Sequence, residues 1–209
     1  MRAVFVRHGS TDDLEAGRIQ SSYLGRLSEQ GRREATVTQG ALREEKFSRV
    51  FIADSERARE TADIVLEGHV DTPRRCVKWL CERNYGDLVG WPSDEAVRQH
   101  NESPNPVLYR PCHGESLVDT WRRVRGSGNT FLWEKLSGEH VLFVGHGTVF
   151  KCLLMALENV FPERLDTYLS WGGGSFKNCS ITRVLIGWSS DGCPKTIRKM
   201  LWNDVSHLS

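Results

Sequence analysis

The sequence predicts an α/β fold: a three-layer sandwich with a mostly parallel central sheet, an antiparallel edge and a small inserted cap. Three observations predict it. Short apolar runs alternate with helix-period segments, the order that builds parallel sheets from strand–helix–strand units. Two of those runs, Val4-Phe5-Val6-Arg7-His8-Gly9 and Val141-Leu142-Phe143-Val144-Gly145-His146-Gly147, end the same way, in His-Gly. A last pair of β-type runs, Ser180 to Ile186 and Thr196 to Leu201, flanks Ser-Ser-Asp-Gly-Cys-Pro, a hairpin-like connection that supplies the antiparallel edge.

Ala3 to Val6 reads as the first strand; Met1 to His8 is too short for a signal peptide. Arg18 to Leu27 is a polar loop. Ser28, an N-cap with Glu29 in the first turn, opens a helix to about Glu45. Val50 to Ala53 is the second strand. Asp54 or Ser55 caps the next helix, whose Ala58, Thr61, Ala62, Val65 and Leu66 follow i, i+3, i+4, i+7, i+8 and share one face. A third strand falls within Thr72 to Leu80. Trp91 to His113 is rich in Pro, Asn and charge, an excursion with one short helix near Asp94 to His100. Ser116 and Asp119 are spaced as a capping box. They open a helix with Leu117, Trp121 and Val124 on one face, which Gly126-Ser127-Gly128 is expected to break. Val141 to Val144 is the fourth strand. Thr148 to Leu157 is almost wholly apolar and so a buried helix. Trp171 precedes Gly172-Gly173-Gly174 in a loop-like setting.

A single domain over residues 1–209 accommodates these elements, with the cap inserted at about 85–113. The apolar share of 39% is enough for a sizeable core. Basic residues number 28 and acidic 27, a net charge of +1, so the broad charge excess of a nucleic-acid or membrane binder is missing and neither partner is expected. No run reaches the roughly 18 to 20 apolar residues of a membrane span. Cysteines stand at 76, 81, 112, 152, 179 and 193 with irregular spacing and no Cys-x-x-Cys pair. That suits free thiols in a reducing, cytoplasmic setting better than a disulfide framework or a zinc site, and no metal is expected. Nothing in the chain argues for or against an oligomer.

In an open α/β sheet, ligands bind beyond the carboxyl ends of the parallel strands, where strand order reverses. His8 and His146 each follow a strand, so both can face one pocket there. Either alone reads equally well as a turn histidine. The glycine after each lets backbone approach a ligand closely. The helix after His146 would aim its first amides at the same place, which favours an anion. Arg7 adjoins His8, and Arg57 lies in the first turn of the helix after the second strand. Two guanidiniums and a helix N-terminus suit a phosphate dianion, because the guanidinium fork binds it bidentately. Arg59 carries the same charge two residues on, and charge alone does not separate it from Arg57. A neutral imidazole is a competent nucleophile at neutral pH, and an ester alkoxide leaves only with a general acid to protonate it.

Arg7-His8-Gly9-Ser10-Thr11 resembles the first signature of the histidine phosphatase superfamily, also called the phosphoglycerate mutase-like family. Further matching segments follow in family order. They are Gly17-Arg18-Ile19-Gln20, Leu27-Ser28 with Gly31, Arg57 to Ala62 as Arg-Ala-x-x-Thr-Ala, Glu82 to Asp87, Gly114-Glu115-Ser116, His146-Gly147 and Asn178 to Thr182. The resemblance implies roles. His8 would attack phosphorus and become phosphohistidine. Arg7, Arg57 and His146 would hold the phosphoryl oxygens. Glu82 would protonate the leaving oxygen and then activate water; without the resemblance it reads as readily as an exposed acid pairing Arg83. Thr11, Gln20 and Gly147 would line the phosphate pocket, and Arg83, Tyr85 and Arg110 would contact the rest of the substrate. Fixed positive charge around a loose phosphoryl transition state implies chemistry without a metal or cofactor.

The chain departs from the family pattern in places. Leu14 stands where the family usually has Asn, Leu24 where it often has Asp, and Ala53-Asp54-Ser55 where small-Pro-Leu or small-Asp-Leu precedes the second arginine. Glu82 to Gly86 and Gly114 to Leu117 resemble the cofactor-dependent phosphoglycerate mutases, but the paired arginine of their insert is replaced by single Arg98 and Arg110. A mutase must also keep water from its phosphohistidine. Tyr109-Arg110-Pro111 and Lys151-Cys152-Leu153-Leu154 are similar to the fructose-2,6-bisphosphatases. The expected function is hydrolysis of a small-molecule phosphomonoester, a sugar phosphate or similar metabolite. The alternatives are a phosphoglycerate mutase, a catalytically impaired phosphate-ligand-binding protein, and a phosphatase acting on a phosphoprotein.

Overall fold

The computed structural model describes residues 1–129, 136, 138–158, 160–161, 176–188 and 194–209. It opens with β1 (Arg2–Arg7), the short α1 (Asp12–Glu15) and α2 (Glu29–Leu42), followed by β2 (Arg49–Ala53), α3 (Glu56–Val65) and β3 (Arg74–Val77). After two single-turn 3-10 segments come α4 (Ser93–Glu102), α5 (Leu117–Asn129), β4 (His140–Gly145) and α6 (Gly147–Leu157), then β5 (Ile181–Trp188) and β6 (Pro194–Asp204).

The strands form one six-stranded sheet in the order β3-β2-β4-β1-β5-β6. β3, β2, β4 and β1 run parallel, while β5 is antiparallel to both β1 and β6. The chain moves from β1 past the β4 position to β2, and later returns to fill it. Helices cover both sides of the sheet, α2 packing on α3 and α5 on α6. Covered faces explain why β1 and β4 read as unbroken apolar runs: Ala3 to Val6 and Val141 to Val144 are buried without alternation. Phe5, Phe143 and Phe51 stack across β1, β4 and β2 with ring centroids 5.1 and 5.5 Å apart.

Helix starts follow the local chemistry. Ser28 Oγ accepts the Gly31 amide at 3.0 Å and begins α2. Ser116 and Asp119 form the reciprocal box: Ser116 N donates to Asp119 Oδ2 at 2.8 Å, and Asp119 N to Ser116 Oγ at 3.1 Å. The expected break at Gly126-Ser127-Gly128 does not occur, and α5 continues to Asn129. Burial of Leu117, Val118, Trp121 and Val124 on the side packed against α6 outweighs a helix penalty of about 1 kcal/mol per glycine. α1 was not expected; Thr11 Oγ1 caps it through Leu14 N, and one turn is too short to show a period. The terminal strands are longer than their apolar runs suggested.

The excursion between β3 and α5 carries α4 where a helix was expected, tied back to the body by a bridge between Arg18 and Pro92. The described cysteines, 76, 81, 112, 152 and 179, are free thiols. Cys193, Trp171, the glycines at 172–174 and the connection at 189–193 lie outside the described residues. Among the described residues, no helix is long and apolar enough to cross a membrane.

Candidate active site

β1 and β4 are neighbours with Arg7 opposite Gly145, so the residues that follow them emerge side by side. His8 N donates to Gly145 O at 2.9 Å, and the His8 and His146 rings lie 5.0 Å apart. The topology thus brings both strand-end histidines together at the carboxyl edge of the sheet. The turn after His8 packs against the start of α2: a Cβ on Gly9 would lie 2.5 Å from Gly31 O, and one on Gly31 would collide with Ser10 O. Glycine at both positions is therefore a packing requirement.

His8 is 3% exposed and His146 is fully buried. His8 Nδ1 lies 2.8 Å from Gly9 O, which can only accept, so the proton sits on Nδ1 and Nε2 keeps its lone pair. Burial first, then the charges of Arg57 and Arg7, push the His8 pKa well below the usual histidine value. His146 is pushed the same way by burial, then by Arg57. Both rings are neutral at neutral pH.

Arg57 is 1% exposed and joins the two histidines. Its Nε lies 3.4 Å from His8 Nε2 and its Nη2 3.5 Å from His146 Nδ1, long contacts that an oxyanion can replace. Nη1 donates to Ser21 O at 2.9 Å and Leu24 O at 2.8 Å, pinning the loop before α2. Burial lowers its pKa to about 10, with Glu82 opposing, so it stays charged. Arg59, by contrast, turns outward to pair with Asp54. Burial on the helix face tells the two arginines apart, which their sequence positions did not.

Arg7 Nη1 donates to Phe176 O, but its Nε is buried without a hydrogen-bond partner. An orphaned guanidinium N–H beside a neutral histidine is the mark of an anion site. Thr11 Oγ1 accepts from both Leu14 N and Gln20 Nε2 and keeps its own hydrogen to donate.

Glu82 couples electrostatically to Arg7 and Arg57. One of its oxygens accepts from Arg83 N at 2.8 Å, the other from Thr148 N at 3.4 Å, in the first turn of α6. Its backbone is held by a clamp. Arg123 binds Glu115 bidentately, at 2.9 Å on each oxygen, and donates to Trp79 O and Cys81 O at 2.8 and 3.1 Å. Glu115 in turn accepts from Asn84 N at 3.0 Å.

The remaining candidates divide. Tyr85 and Arg83 line a cavity of about 280 Å³ that reaches Gly147. The Arg83 guanidinium, though, is turned to Glu115 O and Tyr109 O at 2.7 and 2.9 Å. Arg110 is not part of that lining; it pairs with Asp119 at 2.7 Å on the surface. Among the described residues, the one cluster of three potential metal ligands is Asp87, Cys112 and His113, exposed on the cap and separate from the histidine pocket.

Three contributors escaped the sequence reading. Ser55 Oγ lies 3.0 Å from His146 Nε2. Because Arg57 donates to Nδ1, Nε2 carries the hydrogen, and Ser55 accepts it. Ser55 had stood out as a candidate helix cap and as a departure from the family pattern, and its side chain makes no cap bond. Asn178 Nδ2 donates to His8 O at 3.0 Å, and Arg123 holds the Glu82 segment. Asn178 and Glu115 both fall in quoted motifs, a signal that could have found the first and the partner of the second.

Residues 3–194 match the family model of the histidine phosphatase superfamily (branch 1). A 2,3-bisphosphoglycerate-dependent phosphoglycerate mutase of Bartonella henselae is 31% identical over 176 residues, covering 78% of this chain and 84% of its own. One from Nitrobacter hamburgensis is 34% identical over 179 residues, with 78% and 83% covered. Among solved structures, YhfR of Bacillus stearothermophilus superposes with a TM-score of 0.80 at 28% identity, covering 100% of this chain and 99% of its own. A mycobacterial glucosyl-3-phosphoglycerate phosphatase gives 0.80 at 26% identity, with 98% and 99% covered.

Proposed function

The chain belongs to the histidine phosphatase superfamily, and from that premise we propose that it hydrolyses a small-molecule phosphomonoester through a phosphohistidine on His8. The His8 Nε2 lone pair forms the N–P bond as the P–O ester bond breaks. The departing electron pair goes to the ester oxygen, which takes a proton from the Glu82 carboxyl. Water then attacks phosphorus, the N–P electrons return to Nε2, and the Glu82 carboxylate takes the proton from water. Nδ1 keeps its proton, donated to Gly9 O, throughout. Arg7 Nε and Arg57 Nε and Nη2 surround the phosphoryl oxygens beside the neutral His146 ring, and the two guanidiniums supply fixed charge that needs no reorganisation.

The observation that carries hydrolysis over mutation is the engagement of the cap arginines. Arg83 is bound to two carbonyls, Arg110 to Asp119 and Arg98 to Glu95. None of them is left to grip a second anionic group as a bisphosphate requires. Mutase chemistry is the second reading, favoured by the names of the curated relatives.

Phosphate release from a panel of phosphomonoesters in EDTA, with His8→Ala as control, tests the proposal. Turnover by the wild type that vanishes in the variant is expected. Rapid formation of 2-phosphoglycerate from 3-phosphoglycerate with a bisphosphoglycerate primer, without net phosphate release, would establish the mutase instead.

A further inference from the structure

The cavity of about 280 Å³ beside Gly147 has an unusual wall for a site that takes a small polar ester. Ile19 from the loop after α1, Leu88, Val97, Tyr109 and Pro111 from the cap, and Leu117 from the start of α5 face it. Its arginine, Arg83, is spent on backbone carbonyls and stacks on the Tyr85 ring with 5.2 Å between guanidinium carbon and ring centre. One cation remains. Lys151 lines the same cavity four residues along α6 from Gly147, hence on the same helix face and about 6 Å further along the axis. It is half-buried and makes no hydrogen bond or ion pair with any described residue, only longer-range coupling to Glu82 and Arg7.

A half-buried ammonium without a partner is free to meet an anion, and an apolar wall gains little from a glycerol-sized polar body. Resting on the phosphatase reading for the reaction itself, we propose that the substrate is a phosphomonoester whose alcohol carries an apolar, ring-sized body and, distal to the phosphate, one carboxylate. The body fills the space between Leu88, Val97 and Leu117, and the carboxylate meets Lys151. Lys151 is the residue that sets specificity; it does not touch the reacting atoms.

The test separates binding from turnover by using methylene phosphonates, which the reaction cannot cleave, titrated calorimetrically into the wild-type protein. Three probes suffice: 3,4-dihydroxybutylphosphonate as a polar body, 3-phenylpropylphosphonate as an apolar one, and the latter with a para-carboxylate. The phenyl probe should bind at least tenfold tighter than the diol, a gain that burying about 55 Å² of apolar surface supplies at ~25 cal/mol per Å². The carboxylate should add a further fivefold or more, and Lys151→Met should remove that increment while leaving the phenyl probe's affinity within about twofold. Equal affinity for diol and phenyl probes would overturn the apolar assignment. A carboxylate increment that survives Lys151→Met, or a loss of affinity for all three probes in that variant, would overturn the role of Lys151. Phosphate release from phenethyl phosphate by the wild type is measured alongside. The expected binding order without any release would sink the phosphatase reading and leave the ligand class standing.

Discussion

Arg57 Nε lies 3.4 Å from the Nε2 of His8, the atom that would reach phosphorus in the proposed reaction. The same guanidinium holds two loop carbonyls through Nη1, so one side chain sets both the charge beside His8 and the position of the loop before α2.

Arg57→Lys should therefore fail on both counts, although it keeps the charge. An ammonium cannot donate to His8, His146 and two carbonyls at once. Turnover should fall by about two orders of magnitude or more, the scale of losing a preorganised donor at a transition state. Stability should fall by about 2 kcal/mol with the loop bonds. Steady-state kinetics and denaturant unfolding check the two losses; a variant within tenfold of wild-type turnover would contradict the arrangement.

The buried histidines make a pH prediction. Their folded pKa values are depressed below about 6.5, so the fold prefers the neutral rings while the unfolded chain takes up protons below that pH. Their contribution to stability is complete above about 6.5 and is lost as pH falls from there toward the folded values. Thermal midpoints should decline over that interval. Imidazole 15N NMR at pH 6 should show His8 neutral with its proton on Nδ1. A doubly protonated ring at that pH would refute the electrostatic account.

Ser55→Ala removes the acceptor for the His146 Nε2 hydrogen in a fully buried setting. The stranded donor should cost about 1–3 kcal/mol of folding stability. Phosphotransfer should slow as His146 loses its orientation, while Ser55→Thr, which keeps the hydroxyl, should retain more of both. Chemical denaturation and single-turnover kinetics read these out.

Glu82→Gln keeps the carbonyl oxygen but removes the proton donor. Hydrolysis of alkyl phosphates should fall far more than that of nitrophenyl phosphate, whose leaving group needs no proton. Equal losses on both esters would take Glu82 out of the acid role.

Much of this architecture was legible in the chain because local chemistry spoke for it. Unbroken apolar runs marked strands covered on both faces, Ser28 and the Ser116–Asp119 pair marked helix starts, and His-Gly after two parallel strands marked the sheet edge where His8 and His146 meet. The ordered motifs from Arg7 to Thr182 identified the superfamily. What the sequence could not hold was long-range direction. Arg57 and Arg59 are alike in sequence, and only packing of α3 buries one between two histidines and turns the other to Asp54. Arg83 and Arg110 read alike as cap arginines, and only the fold ties one to Glu115 O and Tyr109 O at the cavity wall and the other to Asp119 on the surface. Ser55 and Arg123 gained their roles from residues 91 and 41 to 44 positions away. Sequence by itself determined most of the elements and the superfamily, because caps, apolar periods and turns are local free energies. The tertiary structure alone decided which donors are spent and which remain, because a hydrogen bond's partner is chosen by where distant segments meet.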